Sequence, residues 1–385
     1  MKTHTHHAHH SRRDFFNQVL GGALAGASVL EVGFFRAAWA RAQAPAASAP
    51  LFDIEKVAEG VYCALARPQA LTNCNAAIFV NSQDVVVVDA HSKPSAAASL
   101  IAQIKKEVTP KPVRYLVNTH FHWDHMQGDS AYKAGGAKVD IIASETTRQW
   151  MAQQSRDRWK QSLDGVPKTI DSLQARLAKA SSEAERAFCK EQIRQLEAYQ
   201  AEMKNFALEL PTIAFAKSHV IKDRAHDLHV EFHGRAHTAG DVVVFCPQKR
   251  VVASGDMIIG FLPNIGDGYP KAWPKTIDSV GQLAFDQILS GHGPVHHNRE
   301  RTIQLRNYIE ELTARVEEGK KAGMSKADLQ KTITMASLKS LQANGYAKWV
   351  ADNLNRFSVY LGQRTPIEDR LNGNIEAVYD NLDRV

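Results

Sequence analysis

From Val57 to Asp89 the apolar positions fall in short runs: Val61-Tyr62-Cys63-Ala64-Leu65, then Ala76 to Val80, then Val85-Val86-Val87-Val88. Such runs predict strands, and Asn81-Ser82-Gln83-Asp84 supplies a turn between the last two. The period then changes. Between Pro94 and Glu107, Leu100, Ile101 and Ile104 fall on one face of a predicted helix. Val113 to Val117 is another apolar strand, and it runs straight into Asn118-Thr119-His120. Strand, helix, strand, with polar residues at the last strand's carboxyl end, is the layout in which αβ folds place a site.

Residues 145–210 lack strand-like runs and are rich in Ala, Gln, Glu, Lys and Arg. Leu196, Tyr199, Met203 and Phe206 recur at three- and four-residue steps, and Ser182 with Glu185 fits a capping box. The pattern predicts a helical hairpin inserted into the domain and ended by Pro211. Its role stays open between packing and a lid over the site. Strands return between Val220 and Asp256, including Val242 to Phe245 and Val251 to Ala253 around a turn at Pro247-Gln248-Lys249. After Pro294 the pattern is helical to the C-terminus, with Ile303, Ile309, Leu312 and Val316 as an apolar stripe.

The N-terminus follows neither pattern. Ser11-Arg12-Arg13-Asp14-Phe15-Phe16 precedes a modest apolar stretch from Val19 to Leu30, followed by Ala38-Trp39-Ala40 and Ala42-Gln43-Ala44. A charged start, an apolar core and small-residue cleavage sites define a secretory signal, and the paired arginines resemble the twin-arginine type. The apolar run is too short to span a membrane, and Glu31 interrupts it. Residues 1–44 are therefore expected to be removed, leaving a periplasmic or secreted chain with no stable membrane insertion. His4, His6, His7, His9 and His10 would leave with that segment.

Composition changes the picture little. The chain has 385 residues, 44% hydrophobic and 23% charged, with a formal net charge of +6. Without residues 1–44 the balance is 42 basic to 39 acidic side chains, with no basic stripe or tail. That gives no footprint for nucleic acid. The four cysteines show no metal-binding spacing; either Cys63 and Cys74 pair across neighbouring strands, or all four are buried thiols. Oligomeric state is not legible.

The chemistry concentrates in His120-Phe121-His122-Trp123-Asp124-His125. Three imidazoles and a carboxylate within six residues, directly after a strand, are costly to bury unless something compensates them. In an extended or turning segment His120 and His122 can point the same way, while Asp124 and His125 face a second centre. Imidazole nitrogen and carboxylate oxygen together suit zinc and similar divalent ions.

This His-x-His-x-Asp-His stretch resembles the signature of the metallo-β-lactamase superfamily. Further blocks of that family stand in order: Gly234-Arg235-Ala236-His237-Thr238-Ala239-Gly240-Asp241, then Ser254-Gly255-Asp256, then Ser290-Gly291-His292-Gly293, where many relatives carry Pro in place of Ser290. The resemblance covers about residues 55–300. It implies an α/β fold, a four-layer αβ/βα sandwich over residues 45–300, with the helical insertion at 145–210 and a helical extension at 301–385. It further implies one metal ion on His120, His122 and His237 and a second on Asp124, His125 and His292, with Asp256 bridging. Asp89 would orient a ligand histidine through its other ring nitrogen. The expected cofactor is a pair of divalent ions, zinc first, with iron or manganese as alternatives. Two such ions sharing a carboxylate can lower the pKa of a bound water to ~7. Asp124 would hold the nucleophile's proton.

A fold of this kind hosts many reactions. Asp256 stands where the β-lactam-hydrolysing groups carry Cys or Ser, so the site is more similar to the glyoxalase II and lactonase arrangement. The expected activity is hydrolysis of a small ester, thioester, lactone or lactam. The alternatives are a mononuclear iron sulfur dioxygenase and a periplasmic metal-binding maturation factor. Substrate contacts are expected from the loop between Met257 and Trp273: either Tyr269 and Trp273 line a pocket and Lys271 pairs with a substrate carboxylate, or these residues only brace a Pro- and Gly-rich loop. Trp123 would floor the site or simply pack.

Overall fold

Four consecutive valines show how the layers arise. In the strand β4 (Val85–Val88) successive side chains point to opposite faces. Val86 and Val88 enter one apolar core, and Val85 and Val87 enter another. A strand buried on both sides must lie inside a sandwich, and it does. The computed structural model describes residues 50–67, 74–357, 359–360, 363–364 and 366–384. The twin-arginine-like segment lies outside the described residues.

The first sheet has seven strands in chain order: β1 (Phe52–Ala58), β2 (Val61–Ala66), β3 (Ala76–Val80), β4, β5 (Val113–Val117), β6 (Asp140–Ser144) and β7 (Ile213–Phe215). Its first four strands are antiparallel and its last four parallel. The second sheet has five, β8 (Ser218–Ile221), β9 (Leu228–Glu231), β10 (Val243–Cys246), β11 (Val251–Gly255) and β12 (Gln287–Ser290), and only β11–β12 is parallel. The sheets face each other across a shared core that includes Phe79, Val86, Val117 and Ile142 on one side and Val230, Val244, Val251 and Leu289 on the other.

Helices close the outer faces. Helix α1 (Pro94–Gln103) sets Ala97 and Leu100 against Val85, Val87, Leu116 and Ile141. It widens at its end into a π turn over Ile104–Val108, within the predicted helical span. On the far side α6 (Trp273–Val280) and α7 (Glu300–Lys321) cover Val243, Phe245, Val252 and Ile288, and α11 (Ile367–Asn381) packs on α7. The four-layer sandwich is therefore as expected from the sequence. One member of the predicted stripe fails: Ile309, Leu312 and Val316 are buried, but Ile303 is 57% exposed. The short hairpin Val359–Tyr360 with Gln363–Arg364 also interrupts the helical C-terminal part.

The insertion is a hairpin of α4 (Glu145–Lys179) and α5 (Glu183–Met203) with a small core of Val166, Leu173, Cys189, Leu196, Tyr199 and Met203. Ser182 Oγ accepts from Glu185 N at 3.2 Å, half of the predicted capping box. The hairpin is fastened to the sandwich: Tyr199 Oη donates to Gln127 Oε1 at 3.0 Å, and Glu202 accepts from the backbone and hydroxyl of Ser95. All four cysteines are free and buried, so the pairing of Cys63 with Cys74 is absent.

Candidate metal centre

The carboxyl ends of β4, β5, β11 and β12 meet at one edge of the sandwich and deliver Asp89, His120, Asp256 and His292. Two of these turns require glycine. Gly255 has φ +50°, and a Cβ there would collide with Thr119; a Cβ on Gly291 would collide with the Asp256 carboxylate and crowd His125. The Ser-Gly-Asp and Ser-Gly-His blocks thus let the two sheets' loops touch. Asn75 pins the second of them, donating to the carbonyls of Ser290 and Gly293 at 3.0 and 2.8 Å.

Within this edge the ligand-type atoms of His120, His122 and His237 lie within 4.8 Å of one another, as do those of Asp124, His125 and His292. Asp256 stands between the two trios. Its carboxylate is 3.4 Å from His125 Nε2, 3.5 Å from His237 Nε2 and 3.3 Å from His292 Nε2. Asp124 Oδ2 is 3.3 Å from His292 Nε2. The seven residues singled out from the sequence are therefore gathered in one cluster.

Outer hydrogen bonds decide which ring nitrogens face inward. His125 Nδ1 donates to Asp89 Oδ2 at 2.8 Å, and His237 Nδ1 donates to the Asn264 carbonyl at 3.0 Å. The Thr119 hydroxyl donates to Asp89, so its oxygen accepts from His120 Nδ1 at 3.0 Å. His122 is turned the other way: Nε2 donates to Asp267 Oδ2 at 2.8 Å, and Nδ1 lies 2.9 Å from His237 Nε2. Each of the four imidazoles thus has one nitrogen tied outward and turns the other towards a common space. His120 Nε2 and Asp256 Oδ1 are buried there with no hydrogen-bond partner.

Burial penalises charge at His120, His125, His237 and His292. At His120 and His237 burial wins, helped by neighbouring imidazoles, and His237 falls to about 3. At His292 burial is outweighed by the Asp256 and Asp124 carboxylates, which raise it to about 9. Converging ring nitrogens, one of them orphaned, and an orphaned carboxylate oxygen fit divalent metal ions in composition and direction.

Three participants had no signal, or a weak one, in the sequence. Thr119 relays Asp89 to His120. Asp267 lies in Gly266-Asp267-Gly268, a polar residue on the loop after the bridging candidate, and nothing in its spacing says which histidine it reaches. Arg158 comes from the insertion, on α4. Its guanidinium donates to both Asp267 oxygens, at 2.7 and 2.9 Å, and lies 4.8 Å from the Phe121 ring centre. Burial alone would raise the Asp267 pKa, but the His122 and Arg158 bonds hold it well below the usual carboxylate range.

The expected substrate contacts need correction. Trp273 is fully buried, donates to the Met257 carbonyl at 2.9 Å and packs 5.6 Å from the His237 ring, so it braces a histidine and lines no opening. Lys271 pairs with Glu317 at 3.0 Å across a partly exposed surface. Tyr269 is half-buried beneath the Arg235 guanidinium. Trp123 packs edge-on to Tyr199 in the insertion's core, so it ties the metal-type motif to the hairpin.

The family model described as "Metallo-beta-lactamase superfamily" matches residues 70–314. The chain belongs to that superfamily. It is 23% identical over 239 residues to a linear primary-alkylsulfatase of Pseudomonas sp. (strain ATCC 19151), a match covering 58% of this chain and 42% of that protein. Among solved structures it is similar to the stereoselective inverting sec-alkylsulfatase Pisa1 from Pseudomonas sp., with TM-score 0.59, 15% identity, and coverage of 86% of this chain and 50% of that one. A metallo-beta-lactamase from Pontibacter korlensis matches with TM-score 0.48 and 20% identity, over 66% of this chain and 98% of that one. The chain spans half or less of the length of the two alkylsulfatases.

Proposed function

We propose, from superfamily membership as premise, that the chain is an exported dinuclear zinc hydrolase of small ester-type substrates, of the glyoxalase II or lactonase kind. The observation that carries this reading is the set of four imidazoles whose outer nitrogens are all tied, leaving their other nitrogens turned into one cluster beside Asp256 and Asp124. His120, His122 and His237 would hold one ion, Asp124, His125 and His292 the other, and Asp256 both. When bound, the ions supply an activated water and polarise the substrate oxygen.

The chain's own residues do the rest. Asp89, Thr119, Asn264 and Asp267 fix tautomers, so no reorganisation is needed at the moment of reaction. Burial would raise the Asp124 pKa, and the neighbouring His125 and His292 lower it; a bound divalent ion would act in the same direction as those two. An ionised Asp124 can take up the proton of the attacking water. Esters, thioesters, lactones and lactams fit this chemistry, and the similarity to alkylsulfatases adds sulfate esters. The twin-arginine-like segment supports export.

Metal analysis of protein lacking residues 1–44 tests the reading, because the N-terminal histidines then contribute nothing. About two zinc ions per chain are expected, falling below one in Asp256→Ala together with a loss of esterase or lactonase turnover of at least ~10³-fold. One iron per chain with dioxygen uptake would replace the hydrolase by a sulfur oxygenase. Stoichiometric metal without turnover on any of these substrates would favour the maturation factor.

A further inference from the structure

One cation, on a helix that reaches the cluster's loops, has no carboxylate partner among the described residues. Arg370 stands on α11 between Ile367 and Asn374, and residues three and four apart share a helix face. Ile367 packs with Ile259, Phe261 and Leu354, and the Phe261 ring centre is 6.1 Å from that of His292. Asn374 Nδ2 donates to Tyr308 Oη at 3.0 Å. At the far end of the helix, Asn381 Nδ2 donates to the carbonyls of Ile265 and Gly266, on the loop that carries Asp267. The face of α11 that bears Arg370 is thus the face turned to the site.

Arg370 is half-buried, and its Nε is buried with no acceptor. Among the described residues no carboxylate pairs with it, although Glu368 and Asp369 lie beside it in sequence and stay exposed. The chain's other buried or braced arginines behave differently. Arg299 donates to the carbonyls of Gly281, Leu283 and Phe285, and Arg158 to Asp267. Burial lowers the Arg370 pKa, while the Tyr308 hydroxyl and the Asp256 carboxylate lie close enough to oppose this. A guanidinium nitrogen buried without an acceptor is costly unless an anion arrives to meet it.

We propose that Arg370 anchors an oxyanion, carboxylate or sulfate, carried by the substrate that the metal cluster hydrolyses. The proposal rests on the hydrolase reading for its substrate, not for the anchor itself. A guanidinium presents parallel donors that match two oxygens of such a group, whereas an ammonium does not. The substrate class is then an anionic ester rather than a neutral one.

The test uses the full, zinc-loaded chain and two matched probes, 4-nitrophenyl butyrate and mono(4-nitrophenyl) glutarate, which differ by one carboxylate. The wild type should prefer the glutarate ester through KM. Arg370→Met should raise that KM by roughly 10–100-fold and leave kcat and the butyrate ester within about twofold. Its melting temperature should hold or rise, because an unpaired buried charge is removed, and Arg370→Lys should recover part of the preference. Equal losses on both esters, a lower melting temperature, or no change on either would overturn the anchor. Should the wild type turn over neither ester, the hydrolase reading fails and calorimetric titration with inorganic sulfate and with acetate decides alone. Binding weakened about tenfold or more in Arg370→Met supports the anchor, and the oxyanion more affected names its source; equal binding overturns it.

Discussion

Asp89 and Asp267 each hold a histidine of the cluster by its outer nitrogen, but they do so from different ground. Asp89 ends a strand inside the seven-stranded sheet and has φ +69°, a conformation that non-glycine residues seldom adopt. Its side chain is 3% exposed and accepts from Thr119 N, Thr119 Oγ1 and His125 Nδ1. Asp267 sits on a loop, is 20% exposed, and among the described residues accepts from His122 and Arg158. One carboxylate is part of the sandwich; the other is brought by a loop and held by the inserted hairpin. The scaffold therefore fixes His120 and His125, whereas the orientation of His122 depends on what has been added to the scaffold.

Breaking the core member should do most damage. Asp89→Ala leaves three buried donors unmet and frees His125 directly and His120 through Thr119. Each unmet donor costs about 1–3 kcal/mol, and lost support of a ligand typically lowers metal affinity by ~10–100-fold. Both ions should weaken, and the metal-free protein should melt lower, as followed by competition with a chromophoric chelator and by calorimetry. Loss of a single ion with an unchanged melting temperature would contradict the contrast.

Asp267→Ala should be more selective. Only His122 loses its tether, so one ion should weaken by about 10–100-fold while the other keeps its affinity. Because the loop is partly exposed, the metal-free melting temperature should scarcely move. A stepwise cobalt titration that separates the two ions by their spectra measures this. Equal weakening of both would mean that Asp267 supports the cluster as a whole.

The same contrast explains what the sequence made legible. Val85–Val88 and His120 to His125 are local: a run of four valines can only be a doubly buried strand, and ligand spacing is written within six residues. Asp89 was visible because it ends that strand. Asp267 and Arg158 are 109 positions apart and converge only when the hairpin folds over the loop. Arg370 is further still, on a helix whose pattern announces packing and nothing else. Trp273 misled for a related reason: an aromatic residue on a site loop reads as a ligand contact, but the core enclosed it.

The smallest effect is the most diagnostic of the insertion. Arg158 and Asp267 form a bidentate pair, but the arginine side chain is 41% exposed, so water and salt screen the attraction. A pair of that kind is worth about 0.2–1 kcal/mol, or roughly 1.4- to fivefold in the affinity of the ion that His122 would bind. Arg158→Met should produce a change of that size, larger at low ionic strength and fading as salt rises. If the arginine acts through Asp267, the change should vanish in an Asp267→Ala background, because residues in one network do not contribute independently. Should the full effect persist there, Arg158 acts through its contact with Phe121 instead, and the hairpin would steady the backbone between His120 and His122 rather than the imidazole itself.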